Sequence, residues 1–156
     1  KEIADADYVF DIHSTTADTD NFIITVGESK LAKHFPLRRV VDMAGFAKGG
    51  SLIEYVPRGI SLEYSKTTSA EEIVKQLQQC LVNLGLSEGS SNLFPQEHYK
   101  VYGVLENKPA VNQNIILKNF IETELNGEKF IPILHGEQAY STILCLKAQA
   151  VKISKG

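Results

Sequence analysis

The sequence has little of three features that would each point to a class of protein. Its two cysteines, Cys80 and Cys145, lie far apart and neither belongs to a CxxC pair, which favours a reducing compartment over a disulfide framework. No run approaches the roughly 18 apolar residues that a membrane span needs, and no signal peptide is visible. We therefore expect a cytoplasmic protein without a membrane partner.

Positive charge is also scarce. Sixteen lysines and arginines stand against 19 acidic residues, a net charge of −3, so no basic field is available for nucleic acid. A length of 156 residues, with 43% hydrophobic and 22% charged residues, suits one ordinary globular domain or two small ones. The chain begins at Lys1 without a methionine, which indicates a trimmed chain or an excised domain. Homo-oligomer formation is left open.

Residues 8–16, YVFDIHSTT, have the pattern of a short apolar strand that ends in a polar loop. The run is almost wholly apolar up to Ile12, which predicts a strand buried on both faces. Asp11 and His13 are two residues apart and so lie on the same face of a strand. Because open α/β sheets bind ligands at the carboxyl ends of their strands, His13 is a candidate metal ligand. A structural histidine at a strand end is the alternative.

A second strand carries a single acid. In residues 59–67, GISLEYSKT, apolar and polar residues alternate, which is the period-2 pattern of a strand. Glu63 lies near the end of this strand. It is a candidate catalytic carboxylate, and a solvated carboxylate without a function is the alternative.

The rest of the chain divides into an α/β part and a β-rich part. Helical spacing of apolar residues predicts a helix over 69–84, with Ser69 as N-cap, Glu72 completing a capping box and Gly85 as C-cap. Residues 87–95, SEGSSNLFP, are typical of a linker. Short apolar runs follow, with a hairpin signal at 126–127, Asn-Gly. The predicted domains are therefore 1–86 and 96–156. Weaker patterns indicate a strand over 21–26 and short helices over 29–35 and 51–55.

Four motifs together resemble one family. DIHSTT (11–16) followed by GISLEYSK (59–66) resembles the succinylglutamate desuccinylase and aspartoacylase family, zinc hydrolases related to the zinc carboxypeptidases. YKVYGVLEN (99–107) resembles the start of the family's C-terminal β domain, and GEQAY (136–140) resembles its C-terminal segment. The resemblance implies an α/β fold: a partial zinc carboxypeptidase-like sheet followed by a small C-terminal all-β domain.

The resemblance also implies an activity and roles. The family's members are zinc-dependent deacylases that cleave the amide bond of an N-acyl amino acid such as N-succinylglutamate or N-acetylaspartate. His13 matches the third zinc ligand and Glu63 matches the glutamate that activates the zinc-bound water. Tyr140 matches a substrate-binding tyrosine, and Asp11 is placed to support His13 from behind. Zinc is therefore the implied cofactor.

This sequence departs from the family at the other two zinc ligands. They come from an HxxE motif near the N-terminus of the family's proteins, and no histidine here has a glutamate three residues later. The family's substrate-binding arginine and Asn-Arg pair are absent as well. The resemblance thus implies a C-terminal portion whose partner is the missing N-terminal half of the same enzyme. Alone, this portion is expected to be inactive and to bind zinc weakly or not at all.

Two further residues are candidates for substrate binding. Where aspartoacylases carry an arginine in the loop before the catalytic glutamate, this chain has Lys48, followed by two glycines, and Arg58 is nearby. A preference for N-acetylaspartate is therefore not implied.

Two other hypotheses remain beside the deacylase. In the first, the chain is a non-catalytic fragment or binding module that keeps only the fold. In the second, it is a cytosolic domain whose match to the family's motifs is due to chance. A zinc assay on this chain and on the full-length protein distinguishes the deacylase from the binding module.

Overall fold

The computed structural model describes residues 6–46, 51–56, 58–107 and 116–152. Within these ranges the chain forms an eight-stranded mixed sheet and one α-helix, α1 (Ala70–Asn83). The strands are β1 (Val9–Thr15), β2 (Phe22–Thr25), β3 (Arg39–Asp42), β4 (Gly59–Ser65), β5 (Glu97–Glu106), β6 (Thr123–Leu125), β7 (Glu128–Ile133) and β8 (Ile143–Val151). Their order across the sheet is β1-β4-β2-β3-β5-β8-β7-β6. The predicted α/β fold class is confirmed.

Helix α1 forms where the periodic apolar face predicts it. The Ser69 hydroxyl accepts a hydrogen bond from the backbone N–H of Glu72 at 3.2 Å, and Gly85 has a φ of +73° just beyond the helix, a conformation that glycine adopts without strain. The predicted capping box is only half formed. The Glu72 carboxylate accepts a hydrogen bond from Gln76 at 2.8 Å, because residues four apart are neighbours on a helix surface.

The shorter elements form where the sequence predicts them, but the two predicted short helices are shorter than expected. Each is a single 3₁₀ segment, Ala32–His34 and Leu52–Tyr55. The Asn-Gly pair forms the predicted hairpin between β6 and β7: Asn126 and Gly127 both have positive φ, 53° and 80°, as a tight hairpin turn requires.

Strand β1 lies at an edge of the sheet, so the prediction that it is buried on both faces is wrong for this chain. Its one strand neighbour among the described residues is β4. The Ile12 side chain is 46% exposed, because no element of the described structure covers that side of the strand end.

The sheet separates two cores. On one face, α1 and the first 3₁₀ segment cover β2, β3 and β4 through a cluster centred on Ile23, Leu62 and Cys80. On the other face, Phe22 and Val41 pack against residues of β5, β7 and β8, including Ile133. β3 pairs with β5 in parallel, so one sheet contains strands that precede and strands that follow residues 87–95. The division into domains 1–86 and 96–156 stays a prediction.

The structure also bears on membrane association. Within the described ranges, no helix combines the length and the apolar character that crossing a membrane requires.

Candidate active site

His13 and Glu63 are direct neighbours on two parallel strands. β1 and β4 run in the same direction with His13 paired to Glu63, and each residue lies two positions before the end of its strand. Adjacent strands lie about 4.8 Å apart, and paired residues of neighbouring strands project to the same face. The two side chains therefore face one site at the carboxyl ends of their strands.

A cavity of about 340 Å³ opens over this pair. Its polar lining includes Asp11, His13, Ser61, Glu63 and Tyr140. Its apolar lining includes Ile24, Val26, Met43 and Phe46. The structure thus brings together four of the side chains that the sequence analysis singled out, and it places an apolar surface beside them.

Asp11 holds the imidazole of His13. Asp11 Oδ2 lies 2.9 Å from His13 Nε2 and accepts a hydrogen bond from the Ser61 hydroxyl at 3.3 Å. In the tautomer with the proton on Nε2, His13 donates to Asp11 and keeps a lone pair on Nδ1 for a metal ion. The hydrogen bond to Asp11 raises the pKa of His13 although burial opposes it, and the charges of Asp11 and Glu63 raise it further.

Glu63 has the environment of a carboxylate that accepts protons. Burial raises the pKa of Glu63 above its ordinary value, the charge of His13 lowers it, and the charges of Glu137 and Asp11 raise it. A general base works best when its pKa lies near the operating pH. The shift is therefore in the direction that suits proton transfer.

Tyr140 is distant from His13 and Glu63 in the sequence, and it also lines the cavity. It lies on the loop between β7 and β8, and its side chain is 49% exposed. The same loop carries Glu137, a residue that the sequence analysis did not select. Glu137 accepts hydrogen bonds from the hydroxyls of Thr15 and Thr16, at 2.6 Å and 2.8 Å. Its position within the GEQAY segment was the signal in the sequence from which Glu137 could have been selected.

Of the two candidate substrate-binding cations, Lys48 and Arg58, the structure describes only Arg58. Lys48 lies outside the described residues, so its role stays a prediction. Arg58 precedes β4, at the opposite end of the strand from Glu63, and its guanidinium lies 5.7 Å from the ring centroid of Tyr8 and 3.9 Å from Asp7. The structure does not bring Arg58 to the cavity, because the length of β4 separates the two ends.

The donor set fits only part of a zinc site. Catalytic zinc usually has three protein ligands and one open position. Across the described ranges, no group of three or more histidine, cysteine, aspartate or glutamate side chains is arranged to hold a metal ion. His13, with an acceptor on its second nitrogen, has the chemistry of one such ligand.

Solved structures with a similar fold include an aminoacylase and a succinylglutamate desuccinylase. This chain aligns with murine aminoacylase 3 at a TM-score of 0.64 and 16% identity, and with its E177A mutant at 0.63 and 15%. It aligns with the succinylglutamate desuccinylase from Chromobacterium violaceum at 0.52 and 12%. The chain has the fold of these proteins.

The alignments include nearly all of this chain but only part of each other chain. Each alignment covers 94% of this chain, but only 64%, 63% and 55% of the respective other chain. The chain therefore spans less than two thirds of the length of these deacylases. No protein-family model matches the sequence, and no curated protein matches it.

Proposed function

We propose that this chain carries part of the active site of a zinc-dependent deacylase that hydrolyses the amide bond of an N-acyl amino acid. N-succinylglutamate and N-acetylaspartate are examples of such substrates. The observation that carries the proposal is the pairing of His13 with Glu63 across β1 and β4, inside a cavity that Tyr140 also lines. The fold shared with aminoacylase 3 and succinylglutamate desuccinylase supports it.

In the proposed site, His13 contributes one metal ligand. Zinc, when bound, lowers the pKa of a water molecule to about 7 and polarises the amide carbonyl. The Asp11 carboxylate fixes the orientation of the imidazole through the 2.9 Å contact to Nε2. A histidine held in this way presents Nδ1 to the metal without further side-chain ordering.

Glu63 moves the proton in this proposal. Its carboxylate lies beside His13 and takes a proton from the attacking water, then passes it to the nitrogen of the leaving amine. Partial burial keeps the carboxylate basic enough to accept that proton.

Tyr140 and the apolar lining of the cavity hold the substrate. The phenol of Tyr140 donates a hydrogen bond to a substrate carboxylate, and Ile24, Met43 and Phe46 contact its carbon atoms. Lys48 remains a proposed cation for a substrate acid group. A similar role for Arg58 finds no support in its position at the far end of β4.

The remaining ligands are proposed to reach the metal past β1. On the inner side, β4 pairs with β2, where apolar Phe22 lies opposite Glu63 and Ile24 opposite Ser61. On the outer side, no strand of the described residues pairs with β1, and Ile12 is exposed. We propose that an N-terminal half of the same enzyme, preceding Lys1, packs here and supplies two ligands. A cytoplasmic location and a homo-oligomeric state also remain proposals.

A non-catalytic binding module is the second candidate. It is favoured by one observation, that the described residues provide no group of three metal-binding side chains. Such a module keeps the fold without the chemistry, and it predicts no hydrolysis even in the complete protein.

The experiment compares this chain with the complete protein. Both are incubated with zinc and N-acyl amino acids, and release of the free amino acid is measured. We expect release by the complete protein and none by this chain, because one histidine does not retain catalytic zinc. Efficient zinc-dependent release by this chain alone would contradict the proposal, as would an inactive complete protein.

A further inference from the structure

A second cavity lies on the opposite face of the sheet from His13 and Glu63. Its volume is about 720 Å³, which is in the range of small-molecule binding sites. Val40, which lines it, belongs to the core beneath α1. Met43, which lines the cavity over His13 and Glu63, packs against the core on the other face. The two cavities therefore open on different sides of the sheet, and we call the second one the reverse-face cavity.

Strand register gives the reverse-face cavity an apolar floor. Val40 of β3 pairs with His98 of β5, and His98 pairs with Val151 of β8. Paired residues project to the same face of a sheet, so these three side chains form a row, and Ala32 borders it. Burial lowers the pKa of His98, so its imidazole adds no charge at neutral pH. The floor therefore suits an apolar chain or ring.

Three lysines surround this floor. Lys30 and Lys33 lie on the connection between β2 and β3, and Lys100 lies on β5. All three are exposed, and none forms an ion pair with another described residue. Ammonium groups that have no carboxylate partner attract an anionic ligand.

The two acidic residues of the lining leave positive charge in excess. Asp42 Oδ1 accepts hydrogen bonds from the backbone N–H groups of Gly27 and Ala44, both at 2.8 Å, and Glu28 is exposed. Three lysines and two carboxylates give the lining side chains a net charge of +1, on a chain whose net charge is −3. The reverse-face cavity is thus positive on a negative molecule.

One hydroxyl of the lining has no partner. The Ser29 hydroxyl oxygen is buried, and it forms no hydrogen bond within the described part of the chain. A buried hydroxyl without a partner is unfavourable, and an oxygen atom of a ligand would accept its hydrogen bond.

We propose that the reverse-face cavity binds a small organic anion with an apolar body. The anionic group lies among Lys30, Lys33 and Lys100, and the apolar body lies on the floor between Val40 and Val151. This site uses none of the residues assigned to the deacylase, so it does not depend on the proposed function.

The first test compares three ligands by isothermal titration calorimetry of the complete protein. Octanoate has both the charge and the chain, octanol has only the chain, and acetate has only the charge. We expect octanoate to bind and octanol to bind about tenfold more weakly, because it loses the attraction of the lysines. Acetate should show no measurable affinity, because each buried methylene contributes about fourfold. Absence of octanoate binding, or equal affinities for octanoate and octanol, would overturn the proposal.

The second test places the bound octanoate. Lys33→Met and Lys100→Met remove a charge and keep an unbranched side chain, and each is expected to raise Kd about threefold. The double variant should raise Kd about tenfold, because the two effects add. Lys75→Met is the matched control, since Lys75 is an exposed lysine of α1 outside the cavity. An unchanged Kd in the double variant, or an equal change in Lys75→Met, would overturn the proposal.

The third test excludes the candidate active site, because a carboxylate is also a zinc ligand. His13→Ala is expected to leave the Kd of octanoate unchanged. Loss of octanoate binding in His13→Ala would place the probe at the metal and overturn the proposal. Failure of the proposed function would appear instead as an inactive wild type, with the octanoate result unaffected.

Discussion

His13 and Glu63 meet because of strand register. Each was identified from its place in a short strand, and the parallel pairing of β1 and β4 sets them opposite one another. Period-2 patterns assign a side chain to a face, so the shared face of Asp11 and His13 was predictable. Which strand would lie beside β1 was not contained in either pattern.

A first prediction concerns Glu63. In the complete protein, the proposed function predicts that Glu63→Gln lowers kcat by on the order of a hundredfold or more, because removal of a general base typically costs that much. Zinc content, measured in parallel by mass spectrometry, should be unchanged. Glu88→Gln, at an exposed residue of the 87–95 segment, is the control and should keep full activity. Near-normal turnover by Glu63→Gln would make Glu63 a structural carboxylate.

Glu137 shows what local sequence patterns do not reveal. Nothing in GEQAY distinguishes a carboxylate that binds substrate from one that accepts four hydrogen bonds. Its partners Thr15 and Thr16 lie more than 120 residues away. The role of such a residue depends on a tertiary contact that no periodicity encodes.

A second prediction follows from the pKa of Glu137. That pKa is about 2 in the folded chain against an ordinary value of 4.5. A lowered folded pKa stabilises the fold above about pH 4.5, and this contribution is lost as the pH falls towards 2. The wild type should therefore be more stable than Glu137→Gln at neutral pH, and the difference should shrink between pH 4.5 and 2. Urea denaturation at a series of pH values measures it, and a constant difference would contradict the assignment.

At the scale of elements, the sequence predicted an element correctly where several local signals for it coincide. α1 has an N-cap, an apolar face and a C-terminal glycine, and the Asn-Gly turn has both residues at positive φ. The segments 29–35 and 51–55 lacked enough length for an α-helix and formed 3₁₀ segments. The edge position of β1 was not predictable, because a strand's neighbours are a property of the whole sheet.

A third prediction tests the cap of α1. Ser69→Ala should lower the free energy of unfolding by about 1 kcal/mol, because the Glu72 N–H loses its acceptor at the helix start. Urea denaturation monitored by circular dichroism measures the change. Ser87→Ala, at an exposed position of the 87–95 segment, should change it by less than about 0.5 kcal/mol. Equal effects of the two substitutions would mean that the cap contributes nothing.

At the scale of the whole molecule, one sheet contains strands from both sides of residues 87–95. The change in composition there predicted two domains, and that division stays a prediction; β3 pairs with β5, and one core contains residues from both sides of the segment. Long-range pairing of this kind is invisible to composition. The fold shared with aminoacylase 3, and the lack of a second strand neighbour for β1 among the described residues, agree with a chain that spans 64% of that protein.

The central claim is that His13 holds the zinc of a deacylase. Zinc per polypeptide in the complete protein, measured by mass spectrometry for wild type, His13→Ala and Glu63→Gln, tests it most directly. We predict one zinc in the wild type and in Glu63→Gln, and a large loss in His13→Ala, because a catalytic zinc depends on each of its three protein ligands. Full zinc content in His13→Ala would contradict the account.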